Sequence, residues 1–160
     1  TNADKLFMYG ECLQDGGERL ADYIDVIGAT TASSYGQFMR GAISTNSMLA
    51  DTVTNLRIGQ ATPNVVTWVE SHDNYTGDDK TYQKLNNDQV ARAWSILAAR
   101  EVGTPLFFAR PYGATAENMW GTFNKIGMAG DNLYKDPIVV ASNRFRNAIS
   151  RRTFPSKRYN

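Results

Sequence analysis

Short apolar runs alternate along the chain with longer segments whose apolar residues recur at helical spacing. Four of the short runs are predicted to be strands, at residues 6–9, 23–27, 65–69 and 105–109. Continuous apolar runs of this length are typical of strands that are buried on both faces, as in a parallel sheet. The pattern therefore predicts strands that lie in the interior of an α/β fold.

Helices are predicted between and after these runs, at residues 35–43, at residues 87–102 and from Asp136 onward. In the second of them, Asp88 is expected to be the N-cap and Gly103 the C-terminal glycine. Its apolar residues form one stripe, made of Val90, Trp94, Leu97 and Ala98. Asp136 and Pro137 have the N-cap and first-turn arrangement that opens the last helix. The stripe expected on that helix consists of Ile138, Ala141, Phe145, Ala148 and Ile149.

The alternation of strands and helices predicts βα units on a parallel sheet. A complete (β/α)₈ barrel takes roughly 250 residues, so a chain of 160 residues holds about half of one. A doubly wound open sheet is the competing arrangement, but no glycine-rich phosphate loop follows the first strand. Residues 112–133 are glycine-rich and follow the fourth strand, and loops of that length are usually functional or mobile.

The composition excludes several classes of protein. Hydrophobic residues make up 42% of the chain and charged residues 21%, which is typical of a soluble globular segment. The formal net charge of +1 argues against a nucleic-acid partner. The longest apolar run is far shorter than the roughly 20 residues of a membrane helix, so no membrane partner is expected. Cys12 is the single cysteine, which excludes an intrachain disulfide framework and a zinc site built on thiolates.

Two acidic residues, Glu11 and Asp73, follow predicted strands. In parallel α/β folds the carboxyl ends of strands face the active site, and partial desolvation there favours proton donation near neutral pH. A pair of carboxylates at a cleft suggests glycoside hydrolysis. By spacing alone this signal is weak, because an acidic residue at a strand end is more often a helix N-cap or a salt-bridge partner. His72 is the only histidine, so a metal site is not expected. The side chain has either a structural role or a functional one, in which it forms a hydrogen bond to a polar ligand.

Several longer phrases resemble the α-amylase family of glycoside hydrolases (family 13). They are Phe-Met-Tyr-Gly-Glu at residues 7–11, Val-Thr-Trp-Val-Glu-Ser-His-Asp-Asn-Tyr at residues 66–75 and Thr-Pro-Leu-Phe-Phe-Ala-Arg-Pro at residues 104–111. These phrases resemble the fifth-, seventh- and eighth-strand motifs of the family. Residues 25–40 resemble the sixth strand with its helix, and residues 138–147 resemble the eighth helix. The likeness covers nearly the whole chain and is greatest to secreted saccharifying α-amylases of Gram-positive bacteria.

The resemblance implies a role for each matching position. Glu11 becomes the general acid/base, and Asp73 the carboxylate that fixes sugar hydroxyls and stabilises the transition state. His72, Asp15, Tyr75 and Tyr112 become substrate-binding residues, and Trp120 is a second loop aromatic that could stack on a glucose ring. Gly77 stands where close relatives carry a polar sugar contact, which puts subsite preference in doubt.

The resemblance also implies what lies outside the chain. The family's nucleophile is an aspartate in a Gly-x-Arg-x-Asp phrase, and that phrase does not occur here. Residues 1–160 are thus expected to be strands five to eight, with their helices, of a TIM barrel. The first half of the barrel, the calcium-binding insertion domain and a C-terminal β domain are expected elsewhere. No cofactor is expected in this chain, whereas calcium is expected in the intact enzyme.

The implied function is retaining endo-hydrolysis of α-1,4-glucosidic bonds in starch by a secreted α-amylase. The expected partners are an α-glucan substrate and the remaining half of the barrel. Two alternatives stay open: a catalytically degenerate half-barrel that binds α-glucan, and a related α-glucosidase or transglycosylase.

Overall fold

The computed structural model describes residues 6–14, 17–59, 64–122 and 124–153. The chain divides into two compact units. The first comprises Thr1–Thr67 and Val102–Leu106, and the second comprises Trp68–Glu101 and Phe107–Asn160. The strands belong to the first unit, except that the last residue of one strand, Trp68, is assigned to the second.

A three-stranded sheet forms the centre of the first unit. Its strands are β1 (Thr30–Thr31), β2 (Val65–Trp68) and β3 (Thr104–Leu106), in the order β1-β2-β3. β1 and β2 are parallel, with Thr30 opposite Val65 and Thr31 opposite Val66. All four residues of β2 are buried. The predicted α/β class with parallel strands is therefore confirmed, and β2 agrees with the predicted strand at residues 65–69.

The predicted strand at residues 6–9 is wrong for this chain. These residues have no regular structure, and pairing is limited to one parallel bridge between Gly10 and Thr30. Leu6, Phe7 and Met8 are 68%, 59% and 63% exposed. The apolar run has the pattern of a buried strand, but the described part of the chain leaves more than half of the surface of Leu6, Phe7 and Met8 exposed.

The predicted strand at residues 23–27 is also wrong, because these residues lie in the helix α1 (Leu20–Ile27). Leu20 and Ile24 are buried at a spacing of four, which is the helical period, while Val26 is 85% exposed. Gly28 ends α1 with a φ of 101°, a conformation that glycine adopts without strain. A five-residue apolar run does not distinguish a strand from a helix, and here the spacing of the buried residues decides.

Two further helices of the first unit follow β1. The helix α2 (Ser33–Ser44) contains the predicted helix at residues 35–43, and its buried face includes Tyr35, Met39 and Ile43. The short helix α3 (Ala50–Thr54) was not predicted. The third strand, β3, begins one residue earlier than predicted and ends at Leu106. The four residues that follow it have no regular structure.

The second unit is mainly helical. It contains α4 (His72–Thr76), α5 (Thr81–Lys84), α6 (Asn87–Ala99), a 3₁₀ turn (Leu133–Lys135) and α7 (Pro137–Thr153). The N-cap of α6 is Asn86 rather than Asp88, because Asn86 and Gln89 exchange side-chain-to-backbone hydrogen bonds in a capping box. The helix ends at Ala99, so Gly103 is not its cap. Gly103 instead has a φ of 84° just before β3.

The last helix begins as predicted and packs on an unexpected face. The Asp136 carboxylate accepts a hydrogen bond from the Ile138 N–H at 2.8 Å, as an N-cap does. The predicted apolar stripe is exposed, however: Ile138, Phe145 and Ile149 are 50%, 51% and 38% accessible. The side that meets α6 carries fully buried Val139 and three polar residues, Ser142, Asn143 and Arg146. Hydrogen bonds to α6 and to the residue that ends it decide the packing: the Trp94 indole donates to Asn143 at 3.0 Å, and Arg146 donates to the Arg100 carbonyl at 2.7 Å.

Candidate active site

Glu11 stands where the backbone pairing of the first unit ends. The Gly10 N–H donates to the Ala29 carbonyl at 3.0 Å, and the Gly10 carbonyl accepts from the Thr31 N–H at 3.1 Å. Glu11 follows directly, with an exposed side chain. The sequence predicted Glu11 at the end of a buried strand, whereas in the structure it follows a single parallel bridge between Gly10 and Thr30. Its role as the general acid stays a prediction.

The residues after Glu11 are held against α2 through Gln14. The Gln14 N–H donates to the Ser33 hydroxyl at 3.1 Å, and its side-chain oxygen accepts from the Ser34 N–H at 3.1 Å. Its side-chain amide also donates to the Arg57 carbonyl at 2.7 Å. This glutamine therefore joins three segments of the unit. Asp15, the next predicted sugar contact, lies outside the described residues.

His72 and Asp73 form the first turn of α4, in the second unit. Their side chains are 81% and 63% exposed, and the His72 Nε2 lies 3.3 Å from an Asp73 carboxylate oxygen. The Ser71 hydroxyl caps α4 by accepting from the Asn74 N–H at 3.3 Å. Asp73 is thus an exposed helix residue, five positions beyond the end of β2, rather than the last residue of a strand. An imidazole and a carboxylate side by side can donate to and accept from neighbouring hydroxyl groups of a polar ligand.

A buried ion pair lies directly before this turn. Arg110 donates to the two oxygens of the Glu70 carboxylate, from Nε at 2.9 Å and from a terminal nitrogen at 2.6 Å. The same terminal nitrogen donates to the carbonyls of Thr81 and Leu85. Glu70 and Arg110 are 3% and 8% exposed. This pair was not predicted, although a lone charge directly after each of two apolar runs is a visible signal in the sequence.

Tyr75 packs behind the turn. It is 1% exposed, and its hydroxyl donates to the Met119 carbonyl at 2.7 Å. Its ring lies 5.4 Å from that of Phe108 and 5.7 Å from that of Tyr82, between ring centres. Burial raises the pKa of the Tyr75 hydroxyl, against the opposing effect of the Arg110 charge. Its predicted contact with substrate stays a prediction, since nearly all of the ring is covered by protein.

Two exposed aromatics of this unit lie in the long segment after β3. Tyr112 is 54% exposed and Trp120 is 49% exposed. Gly121, with a φ of 68°, passes so close to the chain that an added Cβ would lie 2.1 Å from the Tyr112 carbonyl. Only glycine permits that approach, which brings residue 121 against the backbone of residues 112–114. Both aromatic rings present surface on which a sugar ring could stack.

An open pocket of about 490 Å³ lies within the second unit. Its lining is mainly polar, and the buried Arg110 and Tyr75 contribute to it. The other lining residues are Tyr82, Gln83, Leu85, Asn86, Asn87, Asp88, Ala114, Thr115 and Ala116. Amide, carboxylate and phenol groups around a concave surface are suited to a polar ligand that offers several hydroxyls.

The described residues contain no group of three histidine, cysteine or acidic side chains close enough together to hold a metal ion. The expectation that calcium is held elsewhere stays a prediction. No helix in the described ranges is long and apolar enough to cross a membrane.

Two of the known proteins to which the chain is similar have the same name. The chain is 45% identical over 157 residues to an "Alpha-amylase" of Butyrivibrio fibrisolvens, a match that covers 91% of this chain and 16% of the relative. It is 34% identical over 151 residues to an "Alpha-amylase" of Clostridium acetobutylicum, covering 93% of this chain and 18% of the relative. No family model matches the chain. The chain therefore spans about a sixth of the length of these relatives, and the resemblance to α-amylases is confirmed along nearly all of it.

Proposed function

We propose, from the premise that this chain is related to a segment of α-amylases, that it forms part of a starch-cleaving glycoside hydrolase. The substrate class is α-1,4-linked glucan, and the reaction is endo-hydrolysis with retention of configuration. We further propose that the segment is strands five to eight of a TIM barrel and that the enzyme is secreted. The parallel pairing of β1 with β2 and the match along nine-tenths of the chain support this arrangement.

In this proposal Glu11 is the general acid/base. Its carboxyl group gives a proton to the glycosidic oxygen while the bond from that oxygen to C1 breaks and a nucleophilic carboxylate bonds to C1. The Glu11 carboxylate then takes a proton from a water molecule, whose oxygen attacks C1 and releases the nucleophile. The nucleophile is an aspartate outside this chain. In retaining enzymes the two carboxyl groups stand roughly 5–5.5 Å apart, so the nucleophile reaches C1 directly while the other carboxyl group acts first as acid and then as base.

Asp73 and His72 are proposed to bind the sugar at the cleaved bond. Both side chains are exposed and adjacent, at 3.3 Å, so they can bind hydroxyl groups of one ring. Asp15 and Tyr112 are proposed as further sugar contacts, with Tyr112 stacking on a ring. Tyr75 is proposed to contact the substrate where its side chain lines the wall of the pocket.

The observation that carries the proposal is the 45% identity over 157 residues to a protein named α-amylase, together with exposed positions for Glu11, His72 and Asp73. All three side chains lie in sequence motifs that resemble the family's, and each is accessible to a substrate. A glucan-binding relic would have no need for an acid at residue 11.

The direct test measures reducing ends released from soluble starch by the intact protein that contains this chain. Glu11→Gln keeps the shape of the side chain and removes its proton, so turnover should fall by about 10²–10⁴, the usual value of general acid catalysis, while glucan binding survives. Glu101→Gln is the matched control, because Glu101 is also exposed and lies outside the phrases that resemble the family's motifs.

Three outcomes would contradict parts of the proposal. Binding of maltooligosaccharide without hydrolysis by the wild type would favour the glucan-binding alternative. Oligosaccharides with new linkages would favour a transglycosylase. An equal loss of rate and binding in Glu11→Gln would make Glu11 a structural residue.

A further inference from the structure

The backbone on both sides of Glu11 is bonded to a single residue of β1. On one side, the Thr31 N–H donates to the Gly10 carbonyl at 3.1 Å. On the other side, the Cys12 N–H donates to the Thr31 hydroxyl oxygen at 2.9 Å, and that hydroxyl donates to the Cys12 carbonyl, also at 2.9 Å. Thr31 therefore makes three hydrogen bonds that span Glu11.

These bonds are shielded from water. Thr31 is 6% exposed and Cys12 is 6% exposed, whereas the Glu11 side chain between them is exposed. Hydrogen bonds in a buried environment are electrostatically stronger than in water, and leaving their partners unpaired is costly. The arrangement therefore holds the backbone of residue 11 rigidly while its carboxyl group projects outward.

The neighbouring threonine provides a contrast. Thr30 is 0% exposed, and its hydroxyl has no hydrogen-bond partner among the residues that the structure describes. Two adjacent buried threonines in one strand thus differ in what the hydroxyl does. The Thr31 hydroxyl bonds to the segment that carries Glu11, whereas the Thr30 hydroxyl does not.

We propose that Thr31 is the positioning residue for Glu11, fixing through its hydroxyl the distance and direction from which Glu11 delivers its proton. This inference rests on the proposed function, because it requires that Glu11 is the acid. Thr31 acts through the backbone of residues 10–12 and touches no reacting atom. A displacement of about 1 Å in a catalytic group can cost about 10²-fold in rate, which sets the scale of the effect.

Thr31→Val in the intact enzyme tests this role, because valine keeps the branched shape and the Thr31 N–H bond while removing the hydroxyl. We expect kcat/KM on starch to fall about 10- to 100-fold. Thr30→Val is the matched control, at a position of equal burial, and should leave kcat/KM within about 2-fold of wild type because it removes no bond in the described structure. Thr31→Ser restores the hydroxyl and should recover most of the activity.

A second substrate separates positioning of the acid from general damage. The fluoride of an α-maltosyl fluoride leaves with little help from a proton donor, so its kcat/KM depends weakly on the placement of the acid. Thr31→Val should therefore lose less than about 3-fold on the fluoride while it loses 10-fold or more on starch. Thr31→Ala removes the same hydroxyl with a smaller side chain and carries the test if Thr31→Val does not fold.

The outcomes distinguish this inference from the proposed function. Equal losses on both substrates, or activity equal to Thr30→Val on starch, would overturn the positioning role while the amylase assignment stands. A folded wild type that releases neither reducing ends nor fluoride would overturn the proposed function and the positioning role together.

Discussion

Replacing Glu70 by Gln tests how the segment before His72 is held. The Glu70 side chain is 1% exposed and accepts two hydrogen bonds from Arg110, whose own side chain is 9% exposed. The substitution keeps the size of the side chain, removes its charge and replaces one acceptor oxygen by an NH₂ group that faces another donor. Removing one partner of a buried pair typically costs about 3–5 kcal/mol, because the other charge is left buried without compensation. We expect Glu70→Gln to lower the free energy of unfolding by that amount.

A double-mutant cycle isolates the interaction itself. Arg110→Met leaves Glu70 unpaired and also frees the carbonyls of Thr81 and Leu85, so its cost should be at least as large as that of Glu70→Gln. Because the two residues are in direct contact, the combined variant Glu70→Gln/Arg110→Met should be more stable than the sum of the single losses predicts, by about 1–3 kcal/mol.

Native-state hydrogen exchange of the intact protein is the suitable assay, since it reports the free energy of local opening segment by segment. Peptides that cover β2 and α4 should exchange faster in Glu70→Gln. The control is the exposed pair of Asp51 and Arg57, at 2.7 Å with side chains 61% and 23% exposed. Asp51→Asn should cost less than about 1 kcal/mol, as surface pairs do. If Glu70→Gln costs no more than Asp51→Asn, the reasoning about this buried pair is refuted.

Two further substitutions test local features of the second unit. Asn86→Ala removes the side chain that caps α6 and should lower the free energy of local unfolding by about 1 kcal/mol, measured by hydrogen exchange. Arg92→Lys, at an exposed position inside the same helix, is a control that should have little effect. Burial raises the pKa of the Asp131 carboxyl above its ordinary value of 3.8, against opposing effects of the Leu133 N–H and the Arg110 charge. The stability that protonated Asp131 contributes is therefore present at acid pH and is lost as the pH rises through the raised pKa, because the ionised form is the one that burial disfavours. Asp131→Asn should accordingly raise the melting temperature relative to wild type at pH 7 and lose that advantage as the pH falls towards 4, and a difference that is independent of pH would contradict this assignment.

The elements that were predicted correctly are those whose sequence signals involve only residues close together in the chain. The four residues of β2 are apolar or β-branched and are buried on both faces. The start of α7 follows from Asp136 and Pro137, whose capping geometry needs no distant partner. The α6 helix was also predicted from its stripe of apolar residues, and its N-cap was misplaced by two residues. Asn86 and Asp88 are both good caps by type, and the choice depends on which one has a partner three residues later.

Only the site residues that lie within the recognised sequence motifs were predicted. Glu11, His72 and Asp73 were located from short motifs, and the structure leaves all three exposed. The contacts that hold them are between residues far apart in sequence, 40 positions for the pair Glu70 and Arg110 and 19 for Cys12 and Thr31. Such pairs follow from the register of the sheet and the course of the loops. A single sequence does not specify either of these.

The two largest errors in the fold have a common physical origin. Apolar residues at 6–9 were predicted to be a buried strand, and an apolar stripe on α7 was predicted to face the core, yet Phe7 is 59% exposed and Phe145 is 51% exposed. Hydrophobic patterning reports the burial that a residue has in the complete protein, whereas the structure shows burial by this chain alone. The proposed barrel includes strands and helices outside these residues, and the two relatives extend well beyond the matched stretch, which covers 16% and 18% of their length. We therefore expect both apolar surfaces to be covered by other parts of the proposed barrel.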